Sequence, residues 1–214
     1  MARTGIFGGS FNPIHYGHLL MADQVFEILS LDRLLFVPAA EPPHKPACGL
    51  AAALHRHAMT RLATADDGRF VVSDIELCRT GPSYTVDTLE ALSDTRDDLI
   101  LVMGSETFLG LLGWHAPQRL PELARLAVVP RSGSAFDPEG PAAQKVLRGI
   151  GADPFVRVTE GTLPARGTLL VHALSLPVSA SDIRERVRGG RSVAYRLPPE
   201  VIAYMDTHRL YRER

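Results

Sequence analysis

"GGSFNPIHYGHLLMADQ", Gly8 to Gln24, follows a short apolar run, Arg3 to Phe7, and leads into a helix-like one. Glycine lets backbone approach a ligand closely, because no Cβ intrudes. The start of a helix carries unpaired N–H groups and partial positive charge, so anions collect there. His15 and His18 straddle that start, one turn apart, and their rings can point the same way. Two imidazoles donate hydrogen bonds to a phosphate chain without the bulk of Lys or Arg, and Gly17 between them allows close packing. The stretch is neither GxGxxG nor the P-loop pattern GxxxxGK[ST], so an ordinary dinucleotide dehydrogenase fits poorly.

Working outward, apolar runs predict strands at Arg33 to Val37, Phe70 to Ser73, Asp98 to Met103, Leu126 to Val129 and Leu169 to Ala173. Helical patterning predicts helices at Tyr16 to Leu31, Leu50 to Ala65, Thr85 to Ser93, Asp182 to Arg188 and Pro199 to His208. The Gly/Pro-rich stretch Arg131 to Gly167 interrupts the alternation, with one helix near Ala142 to Arg148. Strands alternating with helices imply an α/β fold: a doubly wound parallel sheet with helices on both faces. Ligands in such sheets bind beyond the carboxyl ends of the strands, where the strand order reverses. Gly8 to His18, Pro42 to Lys45, Gly104 to Glu106 and Arg131 all follow strand ends, so they should converge on one edge.

The 214 residues suit one large domain, or one domain with an insertion, and 45% hydrophobic with 22% charged residues is ordinary globular composition. A net charge of −1 argues against a general grip on nucleic acid. Cys48 and Cys78 form neither a disulfide scaffold nor a metal-ligand cluster, which favours a reducing cytoplasm. No signal peptide is visible and no apolar run is long enough for a membrane span, so no membrane partner is expected.

A second stretch, "VSASDIRERV" (Val178 to Val187), reads as a helix start with Ser181 as N-cap and Asp182 in the first turn. Arg184 then leaves the same anion-favouring end, where a guanidinium can grip phosphate bidentately.

With these two motifs in this order, the sequence resembles the HxGH nucleotidyltransferase superfamily, and "GGSFNPIHYGHL" resembles its nicotinate-nucleotide adenylyltransferases. Most of the chain takes part, including the tail Tyr195 to Tyr211. The resemblance implies a Rossmann-like fold, with residues 1–214 as a single nucleotidyltransferase domain and an unassigned segment at about 132–167. It implies catalytic roles for His15, His18 and Arg184, and ATP contacts from Gly8, Gly9, Ser10, Phe11, Gly17, Gly104, Glu106, Ser179 and Ser181. It further implies nicotinate mononucleotide contacts from Lys45, Ser83, Tyr84, Thr85, Trp114 and Arg131. Lys45 matches a basic loop residue used against phosphates, Thr85 the helix start that meets the pyridine carboxylate, and Trp114 a ring-stacking platform. Two positions depart from the family pattern. Glu106 stands where aspartate is usual, and Ala180 replaces the second serine of I-S-S-T-x-I-R.

The implied reaction is adenylyl transfer from ATP to nicotinate mononucleotide, giving deamido-NAD and pyrophosphate. Mg²⁺ should travel with ATP, held by phosphates and water rather than by a protein metal site. Pantetheine-phosphate adenylyltransferase is a rival, but gives no reason for "SYTVDTL" (Ser83 to Leu89) and Trp114. A non-catalytic nucleotide-binding regulator is another, and its need for His15, His18 and Arg184 is slight. A homo-oligomer is compatible with the sequence.

Overall fold

The computed structural model describes residues 2–43, 49–93, 97–131, 133–158, 163–174 and 176–212. In chain order the strands are β1 (Arg3–Gly9), β2 (Arg33–Pro38), β3 (Phe70–Val72), β4 (Asp98–Gly104), β5 (Arg125–Val129), β6 (Phe155–Arg157) and β7 (Thr168–Leu170). The helices are α1 (Tyr16–Ile28), α2 (Ala53–Thr64), α3 (Thr85–Ser93), α4 (Ser105–Leu109), α5 (Leu120–Leu123), α6 (Pro141–Ile150), α7 (Ala180–Arg188) and α8 (Pro199–Thr207).

Strand periodicity sorts the core into two layers. Successive side chains point to opposite faces. Phe7, Leu34, Phe36, Ile100, Val102 and Ala127 therefore pack with Ala22 and Val25 of α1, Met59 of α2, Ile183 of α7 and Val201 of α8. Their neighbours Ile6, Leu35, Val37, Leu99, Leu101 and Leu126 face the other way, against Val86 and Leu89 of α3, Phe108 of α4 and Val146 and Leu147 of α6. The near-continuous apolar strands of the sequence are thus buried on both faces, as parallel sheets require.

The sheet order is β3-β2-β1-β4-β5-β7-β6, and every pairing is parallel. From β1 the chain steps outward through β2 and β3, then returns to place β4 on the other side of β1. The order reverses there, opening a crevice at the carboxyl ends of β1 and β4, at Gly8–Gly9 and Gly104.

Four expectations change. The helix expected over Leu50 to Ala65 runs only from Ala53 to Thr64. The first helix stops at Ile28 rather than Leu31, because Ser30 takes a left-handed backbone (φ 49°). The strand expected over Leu169 to Ala173 pairs only over Thr168–Leu170. The stretch at about 132–167 is no mere interruption. It contains α6, longer than the expected Ala142 to Arg148, and the edge strand β6. Gly140 and Pro141 start α6, and Gly151 in the left-handed region (φ 71°) ends it. Strand β6 is three residues long and shows no alternation to read.

Ile100 is fully buried at the centre of β4. Ile100→Ala should destabilise the protein by about 2–5 kcal/mol. Urea unfolding monitored by far-UV circular dichroism checks it.

Candidate active site

The segment after β1 is held in an unusual shape. Phe11 has a left-handed backbone, φ 41°, which an aromatic residue seldom adopts. Its ring is buried edge-on to Phe7 at 5.7 Å and packs against Phe36 at 5.6 Å. Gly9 makes room for it: a Cβ there would lie 3.0 Å from the ring. Arg56 of α2, fully buried, donates to the carbonyls of Ser10 (2.8 Å), Ala40 (2.9 Å) and Ala51 (2.8 Å). Burial lowers the Arg56 pKa below its ordinary value, yet a guanidinium keeps its charge. Arg184 of α7 donates to the Asn12 carbonyl at 2.8 Å. Two guanidiniums therefore grip the carbonyls on either side of Phe11.

His15 is the N-cap residue of α1, and its ring stacks on that of His18 with centroids 3.8 Å apart and planes 23° apart. His18 Nδ1 accepts the His15 backbone N–H at 3.3 Å, which places the proton of the neutral His18 ring on Nε2. The His18 ring is braced edge-on by Phe11 at 5.2 Å and by Phe7 at 6.2 Å. His15 is 6% exposed, and its Nδ1 makes no hydrogen bond among the described residues. Gly17 lies beneath this ring, where a Cβ would sit 3.1 Å from Nδ1 and Cε1. Burial, with the charge of Arg131 second, lowers the His15 pKa from 6.5 to about 4. His15 is therefore a neutral hydrogen-bonding group at physiological pH.

At α7 the expected cap moves. Ser179, not Ser181, is the N-cap, and its hydroxyl accepts the Asp182 N–H at 3.1 Å. The helix begins two residues earlier than read, at Ala180, which frees Ser181 to accept from Arg184 Nη2 at 3.2 Å.

A cavity of about 500 Å³ opens from Gly8, Gly9 and Ser10 toward Tyr84, Thr85 and Trp114. Ser83 clasps the loop after β2: its N–H donates to the Glu41 carbonyl (2.9 Å), and its hydroxyl accepts the Glu41 N–H (3.0 Å). This sets the start of α3 at the cavity wall, with Thr85 as its first residue. Gly104 and Glu106 line the same cavity from the end of β4. Arg131 does not line it. It pairs with Glu106 at 3.9 Å, and its charge reaches His15, so it stands at the histidine end rather than beside Trp114. Lys45 lies outside the described residues.

Several residues had no motif to announce them. His115 stacks on Tyr84 at 4.3 Å, its one signal being adjacency to Trp114. Glu76, 6% exposed, lines the cavity and accepts from the Thr88 hydroxyl at 2.7 Å. Arg56 holds the loop through contacts to distant chain. Among the described residues, no three His, Cys, Asp or Glu side chains cluster as a metal site, and no helix is long and apolar enough to cross a membrane.

The chain is similar to known proteins over nearly its whole length. Residues 6–186 match the family model described as cytidylyltransferase-like. A protein of Roseiflexus sp. named "Probable nicotinate-nucleotide adenylyltransferase" is 42% identical over 99% of this chain and 98% of its own length. A protein of Thermus thermophilus with the same name is 42% identical over 98% of this chain and all of its own length. The nicotinic acid mononucleotide adenylyltransferase of Plasmodium falciparum, solved with NaAD, shares the fold with a TM-score of 0.74 at 18% identity. That match covers 99% of this chain and 98% of the other.

The His15 environment predicts a pH signature. Folded His15 titrates near 4 and an unfolded one near 6.5, so the unfolded chain takes up this proton first. Its contribution to stability is complete above pH 6.5 and is lost as pH falls through 4, in total of order 3 kcal/mol. His15→Asn should flatten the pH dependence of urea unfolding over that window. Equal slopes in the two proteins would contradict the assignment.

Proposed function

The chain belongs to the cytidylyltransferase-like family, among its nicotinate-nucleotide adenylyltransferases, and on that premise we infer that it transfers the adenylyl group of ATP to nicotinate mononucleotide. The observation that carries this reading is the loop after β1, which joins two features. Ser10 lines the cavity that runs to Trp114 and the start of α3, and the stacked pair His15 and His18 follows it in the chain, with Arg184 bound to the Asn12 carbonyl between them; His15, His18 and Arg184 do not themselves line the cavity.

The 5′-phosphate oxygen of the mononucleotide attacks the α-phosphorus of ATP. A new P–O bond forms, the bond from the α-phosphorus to the α–β bridging oxygen breaks, and pyrophosphate leaves with that electron pair. No protein nucleophile takes part. The chain's task is to hold two polyanions in line and to stabilise the charge gathering on bridging and leaving oxygens.

His18 presents an Nε2–H donor on a ring fixed by its own Nδ1 contact and by Phe11, which supports a role at the α-phosphate. His15, neutral, adds hydrogen bonding without charge. Arg184 suits the β- and γ-phosphates, with Arg131 and Lys45 serving the phosphate side more generally. Gly8, Gly9, Ser10, Gly17, Gly104, Glu106, Ser179 and Ser181 make the ATP bed, with Phe11 beneath it. Mg²⁺ enters as part of the MgATP substrate and lowers the charge on its phosphates.

Trp114 supplies a stacking face for the pyridinium ring, worth roughly 0.5–2 kcal/mol. The free backbone N–H at the Thr85 helix start suits the ring carboxylate, with Ser83 and Tyr84 shaping the approach. One sheet carrying both ends supports a single nucleotidyltransferase domain over residues 1–214. An exposed, free Cys78 is in keeping with a reducing cytoplasm.

His18→Ala should lower kcat for pyrophosphate release with nicotinate mononucleotide by roughly 10²–10³, with unfolding little changed. Near-full turnover in that variant would remove His18 from the chemistry.

A further inference from the structure

The loop that carries the histidines is tied to the far end of the chain. Asn12 is 6% exposed and uses every polar group of its side chain. Its Nδ2 donates to the Gly49 carbonyl at 2.9 Å, and its Oδ1 accepts the Ala51 N–H at 3.1 Å and the Tyr211 hydroxyl at 2.7 Å. Two donors against one oxygen and a carbonyl against the nitrogen fix the orientation of the amide. The same residue's backbone carbonyl takes the Arg184 Nη1 at 2.8 Å. Asn12 thus links the phosphate loop, the segment leading into α2, the arginine of α7 and the tail.

The tail is built to reach this point. After α8 ends at Thr207, both Arg209 (φ 50°) and Tyr211 (φ 63°) take left-handed backbones, and the Leu210 N–H returns to the Met205 carbonyl at 2.9 Å. Two residues in a region that disfavours side chains turn the chain back onto the loop. A second tie runs in parallel: the first N–H of α1, from Tyr16, donates to the Arg196 carbonyl at 2.9 Å. Burial raises the Tyr211 pKa above its ordinary value, so the hydroxyl is a proton donor throughout the working range.

We propose that Tyr211 is a positioning residue for adenylyl transfer, its hydroxyl setting Asn12 and through it the placement of Arg184 and of the loop bearing His15 and His18. This rests on the adenylyl-transfer reading. Tyr211 touches no reacting atom. It fixes the carbonyl that orients one guanidinium face, so the other face meets the phosphates in a constant geometry. Losing that restraint lets Arg184 and the loop drift together, and misplacement of this kind lowers rate more than binding.

Tyr211→Phe deletes one oxygen and keeps the ring, so folding is retained. With MgATP and nicotinate mononucleotide, kcat should fall roughly five- to tenfold, the worth of one hydrogen bond in such a network. KM for the mononucleotide should stay within about twofold, and the thermal midpoint should fall by no more than about 2–4 °C. In an Arg184→Lys background the same change should cost less than about twofold, because the group it positions is already altered. Wild-type kcat in Tyr211→Phe, a loss confined to KM, or full additivity with Arg184→Lys would overturn the proposal. Wild-type turnover in the same assay tests the underlying reading separately. Pyrophosphate release by wild type with an unaffected variant rejects the role of Tyr211 alone, and no release by wild type rejects the adenylyl-transfer reading.

Discussion

The site depends on the grip that two arginines keep on the residues flanking Phe11. A left-handed aromatic residue costs roughly 1–2 kcal/mol relative to an ordinary backbone. Arg56 on the Ser10 carbonyl and Arg184 on the Asn12 carbonyl hold it in place from two different helices. Once fixed, Phe11 turns its ring inward beneath Gly9 and against His18. The orientation of the histidine thus follows from a backbone angle four residues before His15.

The electrostatics follow from the same packing. Arg56 is buried with carbonyl oxygens as its hydrogen-bond acceptors, so it acts as a fixed charge joining the loops after β1 and β2. Such a group is costly to desolvate and is kept where its hydrogen bonds are all satisfied. His15 stays neutral, since burial and Arg131 both oppose its protonation. The histidine end therefore combines arginine charge with a His15 imidazole that is neutral at physiological pH.

Much of this was legible in the sequence. The order of strand, glycine pair and His–x–Gly–His anticipated the paired histidine rings, because spacing at a helix start directly sets where rings point. Strand periodicity gave the doubly wound sheet because each buried strand reads as an apolar run. The parts that escaped depend on long-range contacts. Nothing local marks Arg56 as buried, since an arginine in an amphipathic helix usually faces water. Nothing near Asn12 announces Tyr211, 199 residues away. The cap of α7 was misplaced from Ser179 to Ser181 because three candidate positions, Ser179, Ala180 and Ser181, lie together and only the backbone decides between the two hydroxyls. Strand β6 is held by its neighbour β7 rather than by its own pattern.

The direct test of the whole account is acceptor choice. Pyrophosphate release from MgATP would be measured with nicotinate mononucleotide, nicotinamide mononucleotide and 4′-phosphopantetheine in turn, and kcat/KM compared. The account predicts turnover with the pyridine nucleotides, a preference for the acid of roughly tenfold or more from the charge-assisted bond proposed at the Thr85 helix start, and none with 4′-phosphopantetheine. Turnover with 4′-phosphopantetheine alone, or with no acceptor at all, would contradict it.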